Sequence, residues 1–197
     1  MAGLMLPLGY GLMLADRLAR DRRLRVFELL ESQPGGGWPR LLGKYLGSVS
    51  ASTLPVLLLY LYGVTVIMTR WQAGPLLPLQ SLLLFAVILL PGLLFVASFS
   101  LGCPAFMPVP LYQVLFVGYW FWGNALSPSA GIPTLTGTPL MPSGAYVAAG
   151  IFSVSGPGAV HNATQPLGFL SLALLLAGAA GALAITRRIL RLQAGRG

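Results

Sequence analysis

The sequence predicts an all-α protein, a polytopic transmembrane helical bundle with about four full spans and a partial span at the N-terminus. Hydrophobic residues make up 56% of the 197 residues and charged residues only 8%, and the mean hydropathy is +0.80. The 116 residues from Trp71 to Thr186 contain no Asp, Glu, Lys or Arg. A soluble domain would be about one quarter charged, and a membrane barrel would alternate polar and apolar residues with period two. We therefore expect residues 1–197 to form a single membrane domain.

Five apolar stretches mark the expected spans, at residues 1–14, 48–68, 76–101, 111–126 and 166–186. In lipid the backbone must pair its own polar groups, which favours helices, and about 20 residues are needed to cross the hydrocarbon. The first stretch is too short to span alone, so we expect it to be the end of a span whose beginning is missing. The fourth is also short, but the aromatic run from Tyr119 to Trp122 near its end is typical of a membrane interface.

The distribution of Lys and Arg predicts the orientation. Seven of the twelve lie between Arg17 and Lys44, and four lie between Arg187 and Arg196. Because cytoplasmic loops collect positive charge, segment 16–46 and the C-terminus are expected in the cytoplasm of a cell with this chain in its inner or plasma membrane. The same rule explains the net charge of +8 better than a nucleic-acid partner does.

The loop at residues 127–165 is then external. It is rich in Pro, Gly, Ser and Thr, yet residues 143–154 are mildly apolar. Two alternatives remain open for it: short helices that dip into the membrane under cover of the bundle, or a solvated surface loop.

The charged segment contains every acidic residue of the chain: Asp16, Asp21, Glu28 and Glu31. Apolar residues spaced three and four apart predict an amphipathic helix over residues 16–32. Pro34 and the glycines 35–37 break it, and Trp38 with Pro39 starts a second helix that leads into the next span. Composition alone favours a basic helix lying on anionic lipid.

The spacing within this segment indicates a more specific role. Nine residues fit the pattern E-L-L-x-S-x-P-x-x-x-W-x-x-x-L-G-K in register, namely Glu28, Leu29, Leu30, Ser32, Pro34, Trp38, Leu42, Gly43 and Lys44. This pattern resembles the cytoplasmic motif of the permease subunits of type-two ATP-binding-cassette (ABC) exporters. The resemblance implies a coupling helix that docks on a separate ABC ATPase subunit and passes nucleotide-driven motion to the spans. It also implies a homodimer or a pair with a second permease subunit.

That family usually has an elbow helix followed by six spans. The resemblance therefore implies that the elbow, the first span and part of the second are absent, in a truncated chain or in half of a divided subunit. By the same resemblance, Glu28 and Ser32 make polar contacts with the ATPase, Leu29 and Pro34 dock as apolar groups, and Trp38 anchors the segment at the membrane surface.

Other features weigh against competing classes of protein. The chain has no G-x-x-x-x-G-K-[ST] phosphate loop, so ATP hydrolysis is expected on a partner and the chain itself is not expected to be an enzyme. The chain has a single cysteine, Cys103, and a single histidine, His161. These cannot form a metal cluster or a paired-histidine cofactor site, so we expect no cofactor. The predicted spans carry no ionisable side chain of the kind that marks ion-coupled transport. The alternative function is a charge-poor secondary transporter or a structural scaffold subunit.

Two expectations concern the interior of the bundle. Ala173, Ala177 and Gly181, four residues apart, are expected to pack inside it rather than at a dimer seam. The intramembrane polar groups are expected to find partners within the bundle, leaving a lining that suits an apolar or amphipathic cargo; they are Tyr60, Tyr62, Thr65, Gln80, Ser98, Ser100 and Gln113.

Overall fold

All the regular structure in the described part of the chain is helical. The computed structural model describes residues 8–15, 37–72, 74–126, 131–154, 160 and 162–194, and within these ranges there is no strand. The helices are α1 (8–15), α2 (Gly37–Trp71), α3 (Leu77–Leu84), α4 (Leu90–Gly102), α5 (Val109–Asn124), α6 (Ala145–Phe152) and α7 (Gln165–Ala194). A π-helical turn, Phe85–Leu89, joins α3 to α4, and a 3-10 turn, Cys103–Ala105, follows α4. The all-α prediction is confirmed for these residues.

Three helices in the described residues are long and apolar enough to cross a membrane. They are Leu41–Trp71, Leu77–Ala105 and Gln165–Leu192, with mean hydropathies of 1.8, 2.7 and 2.2. They coincide with the predicted stretches 48–68, 76–101 and 166–186. Each is longer than predicted, because an α-helix continues through polar residues at its ends whereas a hydropathy pattern stops at them.

The other two predicted stretches are helical but shorter. Stretch 111–126 corresponds to α5, whose 16 residues fall short of the roughly 20 needed to cross the hydrocarbon core. In stretch 1–14, residues 8–15 form α1, and residues 1–7 lie outside the described part.

The outer surface of the helices is apolar, as expected for contact with lipid. On α2 alone, Leu54, Leu58, Leu59 and Tyr62 are all more than half exposed. Monomeric soluble proteins rarely leave contiguous apolar surface of this kind in water. Together with the three long apolar helices, it is typical of a membrane protein.

The bundle has a buried core that includes α1. Leu14 and Ala15 are fully buried beside Trp120 and Phe116 of α5. A Cβ on Gly11 would lie 2.5 Å from the ring of Phe116, so α1 packs against α5 at a distance that only glycine permits.

The segment after α5 packs against the middle of the α3–α4 helix. A Cβ on Gly92 would clash with the carbonyl oxygen of Pro142, and one on Gly144 would clash with that of Ile88. The π turn ends at Leu89, and Pro91, which lacks an amide donor, follows in the first turn of α4. The chain at Pro142–Gly144 thus packs where the α-helical hydrogen-bond pattern is interrupted.

The second half of loop 127–165 packs on the bundle. Residues 145–152 form α6, with Tyr146 and Val147 buried. At its other end, Gly150 packs on Gly168 of α7, where a Cβ would lie 2.9 Å from the neighbouring Cα. Residues 131–140, in contrast, are exposed or half-buried, so the described part of the loop combines an open first half with a packed short helix.

The prediction for the small residues of α7 is wrong. Ala173, Ala177 and Gly181 are exposed, and no atom lies within 4 Å of a Cβ built on Gly181. The buried face carries Ser171 and Leu175 instead. Residues two apart lie about 200° around a helix, so the small-residue stripe is on the face opposite to the one that packs.

Candidate functional site

Of the five residues assigned to coupling with an ATPase, the structure describes Trp38, the predicted membrane-surface anchor. Glu28, Leu29, Ser32 and Pro34 lie outside the described residues, as do the predicted helix over 16–32 and the predicted break after it. Trp38 and Pro39 are helical, in the α2 helix whose described part begins at Gly37.

Trp38 has a specific partner at the far end of the chain. The guanidinium carbon of Arg187, on α7, lies 4.7 Å from the centroid of a Trp38 ring. A cation over an indole face at this distance is attracted by the negative charge density of the ring. Trp38 is also half-buried against the apolar core. It therefore contacts both the core and α7 from the first turn of the described part of α2.

The neighbouring residues of α7 bring α4 into the same region. A Cβ on Gly102 would clash with the hydroxyl oxygen of Thr186, and the Thr186 hydroxyl donates to the carbonyl of Ala182 at 2.7 Å. We call the cluster of Trp38, Gly102, Thr186 and Arg187 the basal junction. Three helices, α2, α4 and α7, therefore meet at the motif residue Trp38.

Farther along α2, two tyrosines form hydrogen bonds to the neighbouring helices α4 and α3. The hydroxyl of Tyr45 donates to the carbonyl oxygen of Leu94 at 2.9 Å, and that of Tyr60 donates to the carbonyl oxygen of Ser81 at 3.0 Å. A hydrogen bond formed away from water has no competing solvent, so these contacts hold α2 against α3 and α4 as well as against α7.

The intramembrane polar groups mostly find partners, as predicted. The Ser100 and Tyr112 hydroxyls are hydrogen-bonded at 2.8 Å, and the Ser98 hydroxyl donates to the Phe95 carbonyl at 2.7 Å. Tyr60 and Thr65 also donate to backbone carbonyls, and Gln113 reaches the carbonyl of Leu12 at 3.5 Å. Tyr62 and Gln80 are exposed.

An apolar groove lies between α4 and α5. It encloses a cavity of about 290 Å³, near the lower end of the roughly 300–1,000 Å³ typical of small-molecule sites. Its walls are aromatic, aliphatic and sulfur-containing, and include Phe95, Phe99, Cys103, Met107, Phe116 and Tyr119. With no ionisable carboxylate, lysine or arginine in its lining, the groove suits an apolar guest.

Sequence reasoning missed both the partner of Trp38 and the groove. The one available signal for Arg187 was its position as the first cation after the charge-free stretch, on the same predicted side as Trp38. No family model, curated protein or solved structure matches the chain. What the chain does must therefore be inferred from its own residues.

Proposed function

We propose that this chain is the transmembrane subunit of an ATP-driven ABC exporter, which couples ATP hydrolysis on a separate subunit to movement of a substrate across the membrane. The observation that carries the proposal is the continuity of α2. The second half of the motif, Trp38 to Lys44, lies on the same unbroken 35-residue helix that continues to Trp71. At about 1.5 Å per residue this helix is about 52 Å long, so a force applied at its first turn acts on a whole span.

The contacts of α2 support this lever mechanism. Trp38 is held by Arg187, and Tyr45 by the backbone of α4. A displacement of the segment before Gly37 would therefore move α7 and α4 together with α2. In the proposed docking, Glu28 and Ser32 make polar contacts with the ATPase, and Leu29 and Pro34 supply apolar ones.

The proposed topology adds two elements to the three long helices. We assign α5 as a fourth span and α1 as the end of a partial one, with segment 16–46 and the C-terminus in the cytoplasm. A homodimer or a pair with a second permease subunit would complete the pathway. No nucleic acid or cofactor takes part, and the surrounding partner is membrane lipid.

The groove between α4 and α5 supports an apolar or amphipathic cargo. Its aromatic walls provide faces for flat or hydrocarbon groups, and the hydroxyl of Tyr112, one of the lining residues, is already hydrogen-bonded to that of Ser100. A charged substrate would have to leave water without a partner there.

The test is association with a separate ABC ATPase, which is sought first in the reading frames next to the gene of this chain. The two proteins are co-expressed, the membrane subunit is purified, and bound ATPase and ATP-dependent transport are measured. We expect E28A together with L29A to abolish both co-purification and transport. Asp21→Ala is the matched control, since it removes an acid from the same segment outside the motif and should leave both intact.

Unchanged association in the Glu28 and Leu29 variant would refute the proposed docking. Transport driven by an ion gradient without any ATPase would favour the alternative, a secondary transporter. A chain that binds other membrane proteins and transports nothing would favour a scaffold.

A further inference from the structure

Two basic side chains, one of them in the basal junction, lie near the ends of two candidate membrane spans. Arg187 and Arg191 are one turn apart on α7, close to the end of the span at Leu192, and Trp38 lies just before the span that begins at Leu41. Aromatic and basic residues at such positions lie at the depth of lipid headgroups.

Arg187 lacks an anionic partner among the described residues. Every Asp and Glu of the chain lies between residues 16 and 31, outside the described ranges. The Nε atom of Arg187 is buried and makes no hydrogen bond. A guanidinium has five N–H donors, and its carbon lies 4.7 Å from the centroid of the Trp38 ring. Because Nε is enclosed, the N–H groups of the two terminal nitrogens are the donors that an outside acceptor would reach.

We propose that Arg187 and Arg191, with the first guanidinium held against the ring of Trp38, bind the phosphate of an anionic phospholipid. Phosphate oxygens match the planar fork of arginine and accept two parallel hydrogen bonds. We choose a lipid as the ligand for two reasons: its charge is opposite to that of the arginines, and the arginines lie near the end of a span, at the expected depth of the headgroups. The chain carries twelve cations against four acids, and anionic headgroups attract basic residues at the edge of a span.

Such a lipid would strengthen the contact between α2 and α7. Its phosphate, with one negative charge, would reduce the repulsion between the two neighbouring arginines and hold Arg187 over the Trp38 ring. This inference is independent of the proposed transport function, because it requires only the folded chain and a bilayer.

The experiment measures lipid binding to the full chain in nanodiscs. Binding of a fluorescent phosphatidylglycerol is compared with that of the matching phosphatidylcholine, and Tm is recorded in each bilayer. Arg187→Gln removes the proposed ligand, and Arg187→Lys keeps the charge without the planar fork. The matched control is Arg188→Gln, which removes the same charge from the next residue, an exposed one.

We expect Arg187→Gln to weaken binding of the anionic lipid more than about tenfold and to remove the rise in Tm that it causes. Arg188→Gln should weaken binding by no more than about fivefold, the effect of one surface cation on a charged leaflet. The loss of binding for Arg187→Lys should lie between these two values. An unchanged Tm in phosphatidylcholine would show that all three variants fold.

Three results would overturn the proposal. Equal losses for Arg187→Gln and Arg188→Gln would indicate diffuse surface attraction. An equal Tm rise from inorganic phosphate in detergent would indicate a site for the free ion. A stability coupling between Arg187→Gln and D16N, D21N, E28Q or E31Q, without any preference for anionic lipid, would show that a carboxylate of this chain is the partner.

Discussion

Replacing Gly144 by alanine should separate α6 and its preceding turn from the α3–α4 helix. Gly144 has a φ of +75°, in the left-handed region, where a Cβ costs about 1–2 kcal/mol. The added methyl group would also meet the backbone carbonyl of Ile88, and overpacking of this kind costs about 1–3 kcal/mol. The expected loss of unfolding free energy is therefore about 2–5 kcal/mol.

Gly137→Ala is the matched control, because it has the same backbone cost without the clash. Its φ is +79°, and no atom lies within 4 Å of a Cβ built there. We expect it to lose only about 1–2 kcal/mol. Both variants are unfolded reversibly with denaturant in micelles, and the difference between them isolates the contact with Ile88. Equal losses for the two variants would refute the packing of Pro142–Gly144 on the middle of the α3–α4 helix.

Two further predictions concern the buried contacts of α4. Gly181→Ala on α7 should stabilise the protein by up to about 1 kcal/mol through helix propensity, since nothing lies near it. Gly178→Ala should lose that gain, because its Cβ would lie 2.8 Å from the ring of Phe95; a gain equal to that of Gly181→Ala would contradict the α4–α7 packing. Ser100→Ala should cost about 1–3 kcal/mol by leaving the buried Tyr112 hydroxyl unpaired. Adding Tyr112→Phe should recover part of this loss, and strictly additive free energies of unfolding would show that the two hydroxyls are not paired.

The spans were predictable because the physics that produces them is local. Burial in lipid requires apolar side chains and a self-satisfied backbone, and both requirements are visible in a window of about 20 residues. The same argument applies to α6, which lies within the mildly apolar residues 143–154.

The choice of packing face on α7 was not predictable in this way. Residues at four-residue spacing form both the exposed stripe through Ala177 and the buried stripe through Ser171 and Leu175. Which stripe packs is decided by the neighbouring helix, where the ring of Phe95 requires a gap that Gly178 provides. The contact between Trp38 and Arg187 is equally invisible in the sequence, because it joins opposite ends of the chain.

Helix α7 connects the two regions that the sequence predicts on opposite sides of the membrane. Arg187 contacts Trp38 near one end, and Gly168 contacts Gly150 of α6 near the other. These positions are about 28 Å apart along the helix axis, close to the roughly 30 Å of the hydrocarbon core. Packed interfaces transmit displacement when they have discrete arrangements, and glycine-to-glycine contact leaves little room for continuous sliding. A rigid-body shift of α7 with Trp38 would either carry α6 along or change its contact with Gly168, and in both cases the proposed coupling reaches the loop through α7.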